Sequence, residues 1–274
     1  MTALVTLYIL SLRQQMHGKR WIVMSLLFLL PALLALIVHE TSPDAPALAL
    51  EFTFVFMFIP QAILPLAALI DASGTIQDEL EEQTITYLLI RPISRWAIYV
   101  VKLAGAITMT LALTAIFTAV TYAVIYGLRD QDAARRCLTA IGIHCLAVAC
   151  YCCVFSLLGL ITRRILVAGV LYIVIVEGLL ANLPFGIRLI TVIYYARLIA
   201  YRTLPFVLIR PEGPRENLAA DAWQLDIASD PQLLEHPSLH ACIAVLLLAI
   251  AILTALGALL CMRREFHVKT PEKN

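Results

Sequence analysis

Apolar residues form six long runs along this chain, and polar segments separate most of them. A helix needs roughly 20 residues to cross about 30 Å of hydrocarbon, and the six runs are close to that length or longer. None of them alternates as a barrel strand does, so the pattern predicts six transmembrane α-helices. The runs cover residues 21–38, 50–70, 96–126, 138–161, 165–183 and 239–262.

Residues 1–20, before the first run, have an apolar half followed by a basic half that ends in Lys19 and Arg20. The apolar half is too short to span, so we predict an amphipathic helix that lies on the inner leaflet. A frayed N-terminus is the alternative. The first long run exceeds the roughly 7–15 apolar residues of a signal peptide, so we expect it to be retained as a membrane anchor.

The composition agrees with a membrane protein. Of the 274 residues, 61% are hydrophobic and 14% are charged, and the mean hydropathy is +0.88. A soluble domain is nearer half apolar and a quarter charged. We therefore predict an all-α integral membrane protein in which residues 1–274 form a single domain embedded in the lipid bilayer. The formal net charge of +1 gives no reason to expect a nucleic-acid partner.

The distribution of Lys and Arg predicts the orientation of the six helices. If the N-terminus is inside, twelve basic residues lie on the cytoplasmic side and eight on the other, so we predict that both termini are cytoplasmic. The twelve are Arg13, Lys19, Arg20, Arg91, Arg95, Lys102, Arg163, Arg164, Arg263, Arg264, Lys269 and Lys273. The eight are Arg129, Arg135, Arg136, Arg188, Arg197, Arg202, Arg210 and Arg215.

Residues 72–95 join the second and third spans on the cytoplasmic side, and they are far more charged than a simple turn requires. Thr75 and Asp78 have the spacing of a capping box, and Asp78 and Glu79 favour the first turn of a helix. We predict a helix over residues 75–90, with an apolar side that includes Tyr87. Its acidic side holds Asp78, Glu79 and Glu82, with Glu81 at the flank.

Pro92 ends this helix because it moves Arg91 out of the helical region, and Ser94 is well placed to cap the next membrane helix. One interpretation is an amphipathic helix that rests on the inner leaflet. An anionic leaflet repels four acidic side chains, however, so we favour a docking surface for a second protein.

Three further features of the chain have more than one interpretation. Pro60 and Pro65 predict a kink in the second span. Glu177 lies deep in the fifth span, where a carboxylate is costly, so it either belongs to a translocation path or is a structural hydrogen-bonding partner. Residues 184–238 predict an outer loop or cap whose first part is a helix, either at the membrane surface or re-entering it.

Cysteines crowd the fourth span next to His144. Soft thiolates can bind Cu(I) or zinc, but small residues are also common where membrane helices pack. We favour packing and predict no metal site. The four cysteines of this helix are Cys145, Cys150, Cys152 and Cys153.

The run from Glu81 to Arg95 (EEQTITYLLIRPISR), followed by Lys102 and Gly105, resembles the ABC-2 type transporter permeases. The family pattern is an acid, Gly-Thr, a Leu-Leu pair, Pro-(Val/Ile)-Ser-Arg and a downstream Lys. This chain departs from it at Gln83, where the family usually has Gly. The resemblance implies an exporter subunit in the cytoplasmic membrane of a bacterium, paired with a second permease chain that is either identical or different.

The resemblance also implies a separate P-loop ABC ATPase subunit that binds ATP and Mg²⁺. The present chain has no G-x-x-x-x-G-K-[ST] motif, so we expect no cofactor, no catalytic residue and no ATPase activity in it. The helix over residues 75–90 and the turn at Arg163 and Arg164 become the ATPase-coupling surface. The residues implied in coupling are Asp78, Glu79, Glu81, Glu82, Thr84, Tyr87, Arg91, Pro92, Ser94, Arg95, Lys102, Arg163 and Arg164.

Two other functions stay open from the sequence. A membrane anchor that recruits a soluble partner would use the same acidic helix without transporting anything. An intramembrane enzyme is the weaker alternative, because the chain has neither H-E-x-x-H nor G-x-S-x-G.

Overall fold

The computed structural model describes residues 2–17, 19–42, 44–72, 94–127, 130–162, 164–183, 186–208, 216–223 and 237–263. Nearly all of these residues are helical. The helices are α1 (Thr2–His17), α2 (Lys19–Thr41), α3 (Ala47–Ala72), α4 (Arg95–Tyr126), α5 (Gln131–Ile161), α6 (Ile165–Asn182), α7 (Val192–Thr203), α8 (Leu218–Trp223) and α9 (Leu239–Arg263). A 3₁₀ turn covers Gly186–Ile190, and strands β1 (Val207–Leu208) and β2 (Glu216–Asn217) pair antiparallel.

Six of these helices are long and apolar enough to cross a membrane, namely α2, α3, α4, α5, α6 and α9. They begin and end within a few residues of the predicted runs, except that α5 begins earlier, at Gln131. The all-α membrane fold is therefore confirmed. The helix predicted over residues 75–90 lies outside the described residues.

Successive spans run in opposite directions, which gives the bundle two distinct ends. We call one the termini end, because α2 begins there at Lys19 and α9 finishes there at Arg263. The other is the loop end, where α6 leads into the segment that contains α7 and α8.

The N-terminal helix α1 packs along α4, close to the termini end. Its buried stripe is formed by Leu7 and Ser11, which are one helical turn apart. Tyr8 donates a hydrogen bond of 2.9 Å to Thr108 Oγ1 of α4. Gly105 permits the close approach, because a Cβ there would lie only 2.8 Å from Ser11 Oγ.

Two of the spans contain π-helical segments. In α3 the segment is Phe52–Ile63, and the N–H of Leu64 bonds to the carbonyl of Ile59, five residues back. Pro60 has no N–H to donate, which breaks the α-type ladder at this point. The prolines thus accompany π-type bonding within the second span. The segment in α6 is Ile173–Leu179.

The core is centred on α5, which packs against α3, α4, α7 and α9. Three of its cysteines, Cys150, Cys152 and Cys153, are buried there as small side chains. Cys153 Sγ lies 3.5 Å from Thr254 Oγ1 of α9. Within the described residues, no group of three His, Cys, Asp or Glu side chains is arranged to hold a metal ion.

The periphery of the bundle faces lipid. Only 11% of the most apolar stretch of α9 is buried, against 56% in α3 and in α5. Where α9 does meet the core, Gly257 touches the buried ring of Tyr99 so closely that a Cβ would overlap the phenol. Packing in the interior therefore depends on small residues at helix crossings, as is common in membrane bundles.

Candidate functional site

Four of the residues implied in ATPase coupling are described, and they lie in the first turns of helices at the termini end or immediately before them. Ser94 immediately precedes α4, and its carbonyl accepts the N–H groups of Ala97 and Ile98 at 3.0 and 3.2 Å. Its backbone is extended, as in an N-cap, but its side chain accepts no capping hydrogen bond. Nine others lie outside the described residues: Asp78, Glu79, Glu81, Glu82, Thr84, Tyr87, Arg91, Pro92 and Arg163.

Arg95 and Arg164 are exposed at the termini end, whereas Lys102 is not. The carbonyl of Arg95 accepts the thiol of Cys261 at 3.6 Å, which joins the start of α4 to the end of α9. Lys102 is only 6% exposed, so its ammonium lies within the bundle rather than on a docking surface. The role of Lys102 in ATPase coupling stays a prediction. From this buried position, Lys102 would contribute to coupling by holding helices in position.

Glu177, in the π-helical segment of α6, is fully buried and accepts four hydrogen bonds. Two come from the phenols of Tyr151 (2.9 Å) and Tyr172 (3.1 Å). The other two come from the backbone N–H groups of Val192 (3.1 Å) and Ile193 (3.0 Å), the first residues of α7. The carboxylate therefore caps the positive end of the α7 dipole. These contacts are those of a hydrogen-bonding partner, and the translocation role stays a prediction.

The capping contact also shows that α7 re-enters the bundle. Glu177 lies five residues before the end of α6 at Asn182, yet it bonds to the first turn of α7. The chain must therefore run back alongside α6 before α7 begins. Residues 192–200 of α7 are all buried. Of the two positions that the sequence left open for this helix, the contacts favour re-entry.

Arg197 of α7 bridges α6 and α3. Its Nη1 donates to Asn182 Oδ1 at 2.9 Å, and its Nη2 donates to Gln61 Oε1 at 3.0 Å. Gln61 belongs to the π-helical segment of α3, and Asn182 is the last residue of α6. Arg197 and Glu177 together thus fasten α7 to both spans that contain π-helical segments.

A second buried carboxylate, Glu51, joins three spans at the loop end. The phenols of Tyr122 and Tyr126 of α4 both donate to it, the first at 2.7 Å. Arg136 of α5 completes the group, with its Nε 3.0 Å from each carboxylate oxygen. Glu51 is fully buried, so this ion pair is screened little by water.

Arg136 also ties the loop segment to the spans. Its Nη1 donates to the carbonyl of Pro205 at 3.2 Å, and its guanidinium lies 5.7 Å from the ring of Phe206. Phe206 packs at 5.0 to 5.9 Å from each of three other rings. These are Phe52, Phe56 and Trp223. Residues around β1 and α8 are thereby held against α3.

Sequence reasoning missed two acidic residues of α3, Glu51 and Asp71. Asp71 is buried, and Thr110 Oγ1 of α4 lies 2.8 Å from its Oδ2. Glu51 is the single carboxylate within the apolar run 50–70, and that isolation was the available signal. The partners of Glu51, by contrast, are 71 to 85 residues away along the chain, so no local pattern identifies them.

These groups form hydrogen-bonded joints between helices rather than a reactive centre. The carboxylates accept bonds from phenols, backbone N–H groups or a guanidinium. His144 is buried beside Thr118, with its Nδ1 3.2 Å from the hydroxyl, and it packs on the ring of Phe56. These contacts connect the helices to one another through buried polar groups.

Replacing Glu177 with Gln should weaken the attachment of α7. An amide has one acceptor oxygen where the carboxylate has two, and its NH₂ group would face donors. We expect a loss of about 1–3 kcal/mol in the free energy of unfolding, measured by denaturant titration of the purified chain. The matched control is Glu40→Gln, an exposed site that should change little. Equal stability of the two variants would contradict the capping role.

The ion pair between Glu51 and Arg136 should show strong coupling in a double-mutant cycle. Each single variant, Glu51→Gln or Arg136→Gln, leaves a partner buried without its opposite charge, at a cost of about 3–5 kcal/mol. The double variant should cost clearly less than the sum of the two. Denaturant titrations of the three variants provide the measurement, and simple additivity is the result that rules the coupling out.

The comparisons with known proteins agree with this architecture. No curated protein matches the chain. The sequence profile of the ABC-2 family transporter proteins matches residues 5–266, which is nearly the whole chain and includes all six spans. The resemblance inferred from the sequence is thereby confirmed, and the chain belongs to the ABC-2 family of transporter proteins as a membrane-spanning permease.

Proposed function

We propose that this chain is the membrane subunit of a two-component exporter in the bacterial cytoplasmic membrane. It would couple ATP hydrolysis by a separate P-loop ABC ATPase to the movement of a substrate. The observation that carries the proposal is the family match over residues 5–266. In this proposal ATP and Mg²⁺ bind to the partner ATPase, and a second permease chain completes the transporter.

The proposed orientation places the termini end in the cytoplasm. Four exposed arginines mark that end of the helices: Arg20, Arg95, Arg164 and Arg263. At the loop end, three of the arginines that counted against this orientation are mostly or wholly buried. These are Arg136, Arg188 and Arg197, of which Arg136 is paired with Glu51. The exposed arginines of the described residues support the proposed orientation through the positive-inside rule.

The helix α4 provides a mechanical link from the proposed ATPase to the far side of the membrane. It is one continuous α-helix from Arg95 to Tyr126, about 48 Å long at 1.5 Å per residue. Its first residue, Arg95, is the last of the proposed cytoplasmic coupling segment 72–95, and its last turns hold Glu51 through Tyr122 and Tyr126. A displacement at Arg95 therefore reaches the joint that holds α3, α5 and the loop segment.

The re-entrant helix α7 is the element that we propose to open. In the described arrangement, both oxygens of Glu177 are occupied by donors from α5, α6 and α7. If α7 moves away, Glu177 loses two backbone donors and becomes available to a translocation path. The carboxylate would then connect helices in the closed state and line the translocation path in the open state.

Co-purification tests the partner. The chain, extracted into nanodiscs from its own membrane, should retain a P-loop ATPase in stoichiometric amount, identified by mass spectrometry. Scrambling residues 75–90 should remove that ATPase, because those residues form the proposed docking helix. A correctly inserted chain that carries no ATPase would instead favour the membrane anchor or the intramembrane enzyme.

Charge reversal tests the coupling and the direction of transport. In vesicles that contain the whole complex, Glu82→Lys or Arg95→Glu should leave ATP hydrolysis in place while ATP-dependent export falls. Arg135→Glu is the matched control, since Arg135 is exposed at the loop end and should leave both activities unchanged. Normal export by both correctly inserted variants would refute the proposed coupling.

A further inference from the structure

Arg188 lies in the 3₁₀ turn Gly186–Ile190, on the stretch of chain that runs back from α6 to α7. Because the first turn of α7 bonds to Glu177, this stretch returns to the level of the last turns of α6. Arg188 is therefore at membrane depth, inside the loop end of the bundle. It is only 5% exposed.

Within the described ranges of the chain, the contacts of Arg188 provide no anion for its charge. The guanidinium lies 5.2 Å from the ring of Tyr194. Its Nε is enclosed and has no hydrogen-bond acceptor. No ion pair joins Arg188 to a carboxylate among the residues that the structure describes.

The two other arginines enclosed at the loop end, Arg136 and Arg197, have polar partners for their guanidinium groups. Arg136 has the Glu51 carboxylate, and both Nη atoms of Arg197 donate to amide oxygens. An aromatic face offsets only part of the cost of burying a guanidinium. The structure describes no hydrogen bond from Nη1 or Nη2 of Arg188, the two nitrogens to which an anion would bind.

The surroundings of Arg188 indicate where that anion comes from. Its neighbours in the turn, Ile187, Leu189 and Ile190, are exposed, and Ile190 is 74% exposed. On a membrane protein, exposed aliphatic side chains at this depth meet lipid chains rather than water. Long basic side chains near the ends of membrane helices commonly reach the headgroup layer, and Arg188 has such a position among lipid-facing residues.

We propose that Arg188 binds the phosphate group of a membrane lipid at the loop end of the bundle. The planar fork of a guanidinium matches phosphate oxygens in a two-point contact, which an ammonium group does not reproduce. Tyr194 holds the plane of the fork from one side. The lipid chains then lie along Ile187 and Ile190, and the phosphate supplies a counter-charge that no described residue gives to Arg188.

The experiment is native mass spectrometry of the full chain with its retained lipids, after exchange into a defined mixture. The mixture contains equal amounts of phosphatidylglycerol and a phosphate-free galactolipid with the same acyl chains. We expect the wild-type chain to retain the phospholipid in preference, and Arg188→Gln to retain it about tenfold less. Arg188→Lys should be intermediate. The matched control, Arg135→Gln, removes an exposed arginine at the same end and should behave as wild type.

Each outcome decides for or against the site. Equal retention of the two lipids by the wild-type chain overturns the proposal, and it does so even if Arg188→Gln fails to fold. Equal phospholipid retention by Arg188→Gln and Arg135→Gln also overturns it. A third arm adds inorganic phosphate without lipid. If phosphate binds and is lost in Arg188→Gln while the wild-type chain retains the two lipids equally, the site recognises phosphate but not a lipid, and the lipid assignment is wrong.

Discussion

The cost of enclosing charge inside a membrane bundle governs how these helices are joined. An unpaired carboxylate among apolar helices is strongly unfavourable, so each must find donors within the protein. Glu51 finds two phenols and a guanidinium, and Glu177 finds two phenols and two backbone N–H groups. Because these donors come from different helices, meeting the charge requirement also fixes which helices are neighbours.

The two carboxylates divide the bundle into linked parts. Glu51 connects α3, α4 and α5, and through Arg136 it reaches the chain near Pro205. Glu177 connects α5 and α6 to the re-entrant helix α7. Arg197 then ties α7 back to α3 through Gln61. The loop segment is therefore part of the same hydrogen-bonded assembly as the spans, and it does not sit apart from them as a cap.

What the sequence predicts well is decided locally, and what it misses depends on distant partners. The six spans follow from run length, because hydrophobicity acts over one helix at a time. The start of α4 after Ser94 follows from the preceding proline. Glu177 is recognisable as a carboxylate that needs a partner, but the N–H groups of Val192 and Ile193 reach it only because the chain turns back. Lys102 is charged and yet buried, since neighbouring helices enclose that side of α4.

The π-helical segment of α3 has a consequence for length. As an unbroken α-helix, the twenty residues between Glu51 and Asp71 would span about 30 Å. Both ends are attached to α4, through Tyr122 at one end and Thr110 at the other. Along α4, Thr110 is twelve residues from Tyr122 and sixteen from Tyr126, about 18 and 24 Å of helix. A π-helical segment is wider and shorter per residue than an α-helix, so it reduces the difference in length between α3 and the facing part of α4. The length of α3 is thereby matched to the distance between its two attachments.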